Sequence, residues 1–134
     1  MASIFSRIVA REIPCHKVAE DDHFLAFMDI MPLAVGHTLV IPKLEVDRIW
    51  DLEPHDLGAL HQFSQRVALA IEAAIPCQRV GVAVIGLEVP HAHVHLIPLQ
   101  SVADINLERP KLKLESDQLA STAQAIQSAY NALG

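Results

Sequence analysis

The run His91-Ala92-His93-Val94-His95-Leu96-Ile97-Pro98-Leu99 constrains this chain more than any other stretch. Histidines alternate with apolar residues, the period of a half-buried strand, so a strand through this run is expected. On it His91, His93 and His95 share one face, about 6.6 Å apart at a rise of ~3.3 Å per residue, while Ala92, Val94 and Leu96 face a core. Three readings of that row compete. It can be a solvated sheet face that happens to carry histidines. His-x-His on a strand is also a zinc or copper arrangement. The third reading is catalysis on an anion, with one imidazole as nucleophile and its neighbours as N–H donors, since imidazole changes charge near neutral pH.

The rest of the chain narrows the choice. At 134 residues, 51% apolar and 19% charged, it is expected to form one domain with a sizeable core. A net charge of −6 argues against broad nucleic-acid or anionic-membrane binding. An anionic small molecule then needs a locally positive site, and the histidine row is the evident candidate. Cys15 and Cys77 form no C-x-x-C and read as reduced thiols. The stretch from Met1 to Ile8 is interrupted by Arg7 and has no long apolar segment, so neither a leader nor a membrane span is expected and the protein reads as soluble and cytoplasmic.

Periodicity places the remaining elements. Ser3 caps a short amphipathic helix carrying Ile4, Phe5 and Ile8. Lys17 to Glu20 and Phe24 to Met28 read as strands, and His37 to Ile41 as a third, after a loop with Pro32 and Gly36. Asp51 to Ile75 is the clearest helix, with Leu57, Leu60, Ser64, Val67, Ile71 and Ala74 on one stripe. The β-branched run from Arg79 to Ile85 reads as a buried strand joined to the histidine strand by an antiparallel hairpin. Residues 101–115 read as mostly loop. Ser116 is the expected cap of a last helix near 117–132, with Leu119, Ala123, Ile126, Tyr130 and Leu133 on one stripe. The fold class expected is α+β, with a mainly antiparallel sheet of about five strands.

Several blocks then carry a resemblance. His91-Ala92-His93-Val94-His95-Leu96-Ile97 matches the signature of the histidine triad (HIT) family. Ile4-Phe5, Glu12-Ile13-Pro14, Glu20-Asp21-Asp22, Leu25-Ala26-Phe27, Asp29-Ile30 and Gly36-His37-Thr38-Leu39-Val40-Ile41-Pro42-Lys43 follow its pattern in order, so the chain resembles the family over about residues 3–99, with 100–134 as an extension. The resemblance implies a five-stranded antiparallel sheet with two covering helices, usually in a homodimer. It implies a nucleotide hydrolase or nucleotidyl transferase acting on phosphoramidates, esters or anhydrides, in which His93 attacks the α-phosphorus between His91 and His95. It further implies that Ile4, Phe5, Ile8, Phe27 and Ile30 wall a nucleoside pocket for a purine face and that Asp29 accepts hydrogen bonds from ribose hydroxyls. No cofactor or metal is needed for such a nucleophile. A nucleotide-binding regulatory module with little turnover is the alternative function.

The departures matter as much. Leu87 and Glu88 stand where the family often has Gln and a hydroxyl residue, which removes side-chain donors to the phosphate and leaving group. Some members hold structural zinc at positions that correspond to Ser3, Ser6, Glu45 and His91. Serine is a poor zinc ligand beside Cys or His, so no native zinc is expected.

Overall fold

The computed structural model describes residues 2–134; Met1, the first residue of the N-terminal stretch read above, lies outside the described residues. The chain runs α1 (Ile4–Val9), β1 (Lys17–Glu20), β2 (Phe24–Met28), β3 (Thr38–Pro42), α2 (Pro54–Ala74), β4 (Arg79–Ala83), β5 (Val94–Leu99) and α3 (Ser116–Ala132), with single 3-10 turns at Ile49–Asp51 and Val102–Ile105. The five strands form one sheet in the order β1-β2-β3-β5-β4, with antiparallel pairing throughout. The α+β class and five-strand sheet expected from the sequence are therefore present. Among the described residues no helix is long and apolar enough to cross a membrane.

Strand alternation sends side chains to two different environments. Phe24, Ala26, Met28, Val40, Val94 and Leu96 join Leu60, Phe63, Val67 and Ile71 of α2 and Leu119, Ala123 and Ile126 of α3 in the main core. The opposite parity, Leu25, Phe27, Leu39 and Ile41, gathers around Phe5 of α1 in a smaller cluster. Helix α2 starts with Pro54 in its first turn, where a missing N–H costs nothing, and stops before Pro76. Helix α3 lays Leu119, Ala123, Ile126 and Tyr130 of the expected stripe on the core, while Leu133 lies past its end and is exposed, and Glu115 rather than Ser116 holds the cap position.

Two expectations need correction. β4 is an edge strand, not a buried one: Val82 is 58% exposed and only β5 pairs with it. The histidine run is not one continuous strand, because β5 begins at Val94, after His91 and His93. With Ala83 opposite His95, β4 and β5 pair as the expected antiparallel hairpin, whose connection spans residues 84–93.

Candidate functional site

His95 is fixed on both sides by the ladder, opposite Leu39 of β3 and Ala83 of β4. His91 ends the bent stretch of the loop before that strand, and His93 immediately precedes it. The histidine face is not open to solvent: His91, His93 and His95 are 0%, 7% and 9% exposed. Helix α1 is the reason. Its Phe5 ring meets those of His91 and His93 edge-on, at centroid distances of 5.8 and 5.1 Å. The His93 and His95 rings are 5.0 Å apart.

Burial makes the hydrogen bonds decide each tautomer, because an unpaired buried nitrogen costs about 1–3 kcal/mol. His93 Nδ1 lies 2.7 Å from the His91 carbonyl oxygen, an obligate acceptor, so Nδ1 carries the proton and Nε2 keeps its lone pair. His91 Nε2 donates to the Pro42 carbonyl at 2.8 Å, and its Nδ1 accepts from the Ser3 hydroxyl at 2.7 Å. Both His91 nitrogens are thus engaged within the protein. The expectation that His91 offers an N–H to a phosphate is corrected: its ring is an anchor, and its carbonyl orients His93.

That anchor continues outward. Ser3 Oγ caps α1 by accepting from Ser6 N–H at 2.9 Å. Glu45 Oε1 accepts from the Ser3 N–H and from the Ser6 hydroxyl, each at 2.6 Å. Those two donors, the backbone one first, pull the Glu45 carboxyl down to about 2. Burial lowers the His91 pKa, against smaller opposing effects from Pro42 and Glu45. The four positions compared above with zinc ligands do converge. They do not fit the metal: two neutral hydroxyls, one carboxylate and an imidazole nitrogen that already accepts an O–H make a closed hydrogen-bond network.

A fourth histidine completes the other end, and sequence reasoning gave it no role. His37 follows Gly36, whose φ of +101° suits glycine and turns the chain into β3. Leu33 N–H donates to His37 Nδ1 at 3.0 Å, so the His37 proton sits on Nε2, 3.0 Å from His95 Nδ1. His95 must accept there, which leaves its own proton on Nε2, a nitrogen with no protein partner among the described residues. Burial, then the neighbouring ring, lowers the pKa of His37 to about 3 and of His95 to about 4, so both are neutral at pH 7. The signal for His37 was present: a histidine between Gly36 and the largely apolar run Thr38–Pro42.

Asp29 brings a carboxylate to the same place. Its Oδ2 lies 3.5 Å from His37 Nε2, and its Oδ1 accepts from Met31 N–H at 2.9 Å, closing the loop after β2. Burial raises its pKa, with the Met31 bond and the nearby His93 pulling the other way. Donor atoms of Asp29, His37 and His95 lie within 4.8 Å of one another. A cation does not fit there, because the Leu33 N–H occupies His37 Nδ1 and so keeps Nε2 protonated. Of the expected nucleoside wall, Phe5 and Phe27 are core residues packed edge-on at 5.6 Å, Ile8 is half-buried against them, and Ile4 and Ile30 are 49% and 67% exposed. Two surface cavities, of about 400 and 280 Å³, are lined without any of the triad histidines.

A family model described as HIT domain matches residues 10–102. Among curated proteins, adenosine 5′-monophosphoramidase HNT1 of Saccharomyces cerevisiae is 36% identical over 99 residues, covering 72% of this chain and 62% of that one. Adenylylsulfatase HINT3 of Arabidopsis thaliana is 33% identical over 129 residues, covering 88% of this chain and 66% of that one. Among solved structures, a Hit-like protein involved in cell-cycle regulation from Bartonella henselae superposes with a TM-score of 0.82 at 32% identity, over 95% of each chain.

Proposed function

The chain belongs to the HIT domain family, and on that premise we propose that it hydrolyses or transfers nucleotidyl groups from nucleoside 5′-phosphate conjugates through a covalent adduct on His93. The observation that carries this reading is the His93 tautomer: Nδ1–H given to the His91 carbonyl leaves the Nε2 lone pair free for phosphorus. Relatives named for cleaving adenosine phosphoramidate and adenylyl sulfate support the substrate class. In the first step Nε2 attacks the α-phosphorus in line and the bond from phosphorus to the leaving group breaks. The positive charge that develops on the His93 ring is stabilised by the carbonyl at Nδ1. His95 Nε2–H donates a hydrogen bond to a non-bridging oxygen, where charge builds during transfer, and because His95 is neutral the leaving group takes its proton from solvent. Water then breaks the N–P bond and restores His93. His91 acts through its anchored backbone.

Asp29 holds the ribose hydroxyls in this reading, and exposed Ile4 and Ile30 flank the base. Asp29→Ala is expected to weaken nucleotide binding by roughly 1–3 kcal/mol for ribose and less for deoxyribose ligands; equal losses would leave only its bond to Met31. We also propose a homodimer through the open β4 edge and α2, supported by exposed Val82 and Leu69. Light scattering at micromolar concentration tests it, a monomer being the contrary result. The function itself is tested by turnover of purified protein on a panel of adenosine phosphoramidates, phosphosulfates and dinucleoside polyphosphates. Cleavage that leaves AMP supports it; binding without cleavage of any member leaves a nucleotide-binding module instead.

A further inference from the structure

The His93 tautomer depends on one peptide unit. The His91 carbonyl that takes the His93 Nδ1 proton lies in the same rigid plane as the Ala92 N–H, so whatever fixes one fixes the other. Ala92 N–H donates to the Val46 carbonyl at 2.6 Å. The His91 ring adds two more ties, from Nε2 to the Pro42 carbonyl at 2.8 Å and from the Ser3 hydroxyl to Nδ1 at 2.7 Å. Pro42 and Val46 bound the short stretch 42–46 that leaves β3, and Ser3 is the cap of α1. That stretch and the start of α1 therefore clamp the His91–Ala92 plane between them.

Glu45 lies inside that stretch, and its side chain joins it to α1. Its Oε1 accepts from the Ser3 N–H and the Ser6 hydroxyl, each at 2.6 Å, and both bonds are strengthened by the carboxylate charge. They also settle what the two serine hydroxyls can do. Ser6 Oγ lies 3.4 Å from His91 Nδ1 and competes for its lone pair unless its proton is committed elsewhere. Glu45 takes that proton. Ser3 Oγ accepts from Ser6 N–H at 2.9 Å, which leaves its own proton for His91. Because the Pro42 carbonyl can only accept, the direction of every bond from Glu45 to His93 is fixed.

Helix capping alone does not account for this arrangement, since the Ser3 side chain already caps α1. A helix of six residues is too short to hold its place unaided. Its Phe5 ring packs on His93 at 5.1 Å, so the seating of α1 bears on the His93 ring as well as on the carbonyl at Nδ1. Pro42 and Val46 act through backbone carbonyls, which no side-chain substitution removes. Glu45 acts through an exposed side chain, which can be exchanged without opening a cavity in the core.

We propose that Glu45 is a positioning residue for the nucleophile: its carboxylate commits the Ser3 hydroxyl to His91, and the His91 carbonyl so fixed holds His93 with the proton on Nδ1 and the lone pair on Nε2. The inference rests on the nucleotidyl reading above for its effect on rate, whereas the tautomers belong to the free protein and are measurable without substrate. Glu45 bonds to no group assigned to the substrate in that reading, and Asp29 lies with His37 and His95 at the other end of the histidine row. Loss of the Glu45 carboxylate therefore acts on the chemical step and not on nucleotide affinity.

The test combines imidazole-nitrogen NMR with single-turnover kinetics on the full chain, as wild type, Glu45→Ala and Glu45→Gln. At about pH 8.5, where histidines are neutral, the wild type is expected to show His93 protonated on Nδ1 alone and His91 on Nε2 alone. Glu45→Ala should give a mixed His93 tautomer and lower the rate constant on saturating adenosine phosphoramidate about tenfold, with the Kd for AMP changed by less than about twofold. Glu45→Gln keeps an acceptor oxygen, and should keep the wild-type His93 signal and at least about a third of the rate. Denaturant unfolding of the same preparations puts each rate on a per-folded-molecule basis. A Glu45→Ala variant that is merely less stable, with the His93 signal and the rate unchanged, overturns the positioning role, as does weaker AMP binding at an unchanged rate. Both results leave the nucleotidyl reading standing. A wild type that turns over no phosphoramidate, while the His93 tautomer still shifts in Glu45→Ala, overturns the nucleotidyl reading and upholds the hold of Glu45 on His93.

Discussion

The two faces of the sheet are built from the same strands by opposite means. The face under α2 and α3 is apolar and deep, with Val18, Ala26, Val40, Val67, Ala70, Ile71, Val94 and Ile126 at 0% exposure. The face under α1 is covered by a six-residue helix, and much of its buried surface is imidazole: His37 and the triad. Buried polar groups stabilise little in net terms and cost much if left unpaired. Here every nitrogen that faces protein has a partner, and among the described residues no buried side-chain polar atom lacks one. Two nitrogens are exceptions: His93 Nε2 and His95 Nε2 have no protein partner among the described residues and are the atoms that the proposed reaction uses. One face supplies stability, the other supplies tautomers, and strand alternation from Val94 to His95 keeps them one residue apart.

That division can be broken from either side. The largest expected effect comes from the chemical face. His93→Ala should lower turnover by roughly a thousandfold or more while nucleotide binding persists, since the variant loses the proposed nucleophile and not the pocket. Steady-state rates and a binding titration on the same preparation check it. On the other face, Ile71→Ala should cost about 2–5 kcal/mol of stability, measured by denaturant unfolding, with the rate per folded molecule nearly unchanged.

Acidification attacks the polar face alone. His37 and His95 are held well below the ordinary histidine value, at about 3 and about 4. At these two sites the unfolded chain therefore binds more protons than the folded one once the pH drops below about 6.5, and the raised Asp29 offsets part of that difference. Stability present above that pH should fall as the pH falls from about 6.5 to about 4, by roughly a few kcal/mol. The loss is less than the sum of the two rings because protonating one disfavours the other. Urea midpoints across that range measure it, and His37→Gln, which retains a hydrogen-bonding side chain without a proton to gain, should flatten the slope. The smallest effect is that of Ser3→Ala, about 1–2 kcal/mol, from losing both the α1 cap and the hydroxyl on His91. Ser3→Thr should restore most of it, and a loss of activity larger than the loss of stability would show that the His91 anchor also sets the His93 geometry.

Legibility followed the same boundary. The strand segments β1 and β2, the long helix, the α3 stripe and the triad were readable because each is a local period. The misreadings are cases in which a local pattern has two tertiary outcomes. Val80, Val82, Val84 and Ile85 look alike in a buried strand and on an open edge. The alternation around His93 looks alike whether solvent or a helix covers the histidines, and nothing in its period announces Phe5, which lies 88 residues before it. Roles set by a partner were hidden for the same reason. The Ser3 hydroxyl lies 88 residues from His91 and the His37 ring 58 from His95, so neither tautomer can be deduced without the fold.

Rapid-quench mass spectrometry on the wild type during turnover of an adenosine phosphoramidate tests the nucleophile most directly. The expected result is a transient species heavier by one adenylyl group, mapped by peptide digestion to His93 and absent from His93→Ala. Turnover with the adduct on another residue, or near-normal turnover by His93→Ala, would contradict it.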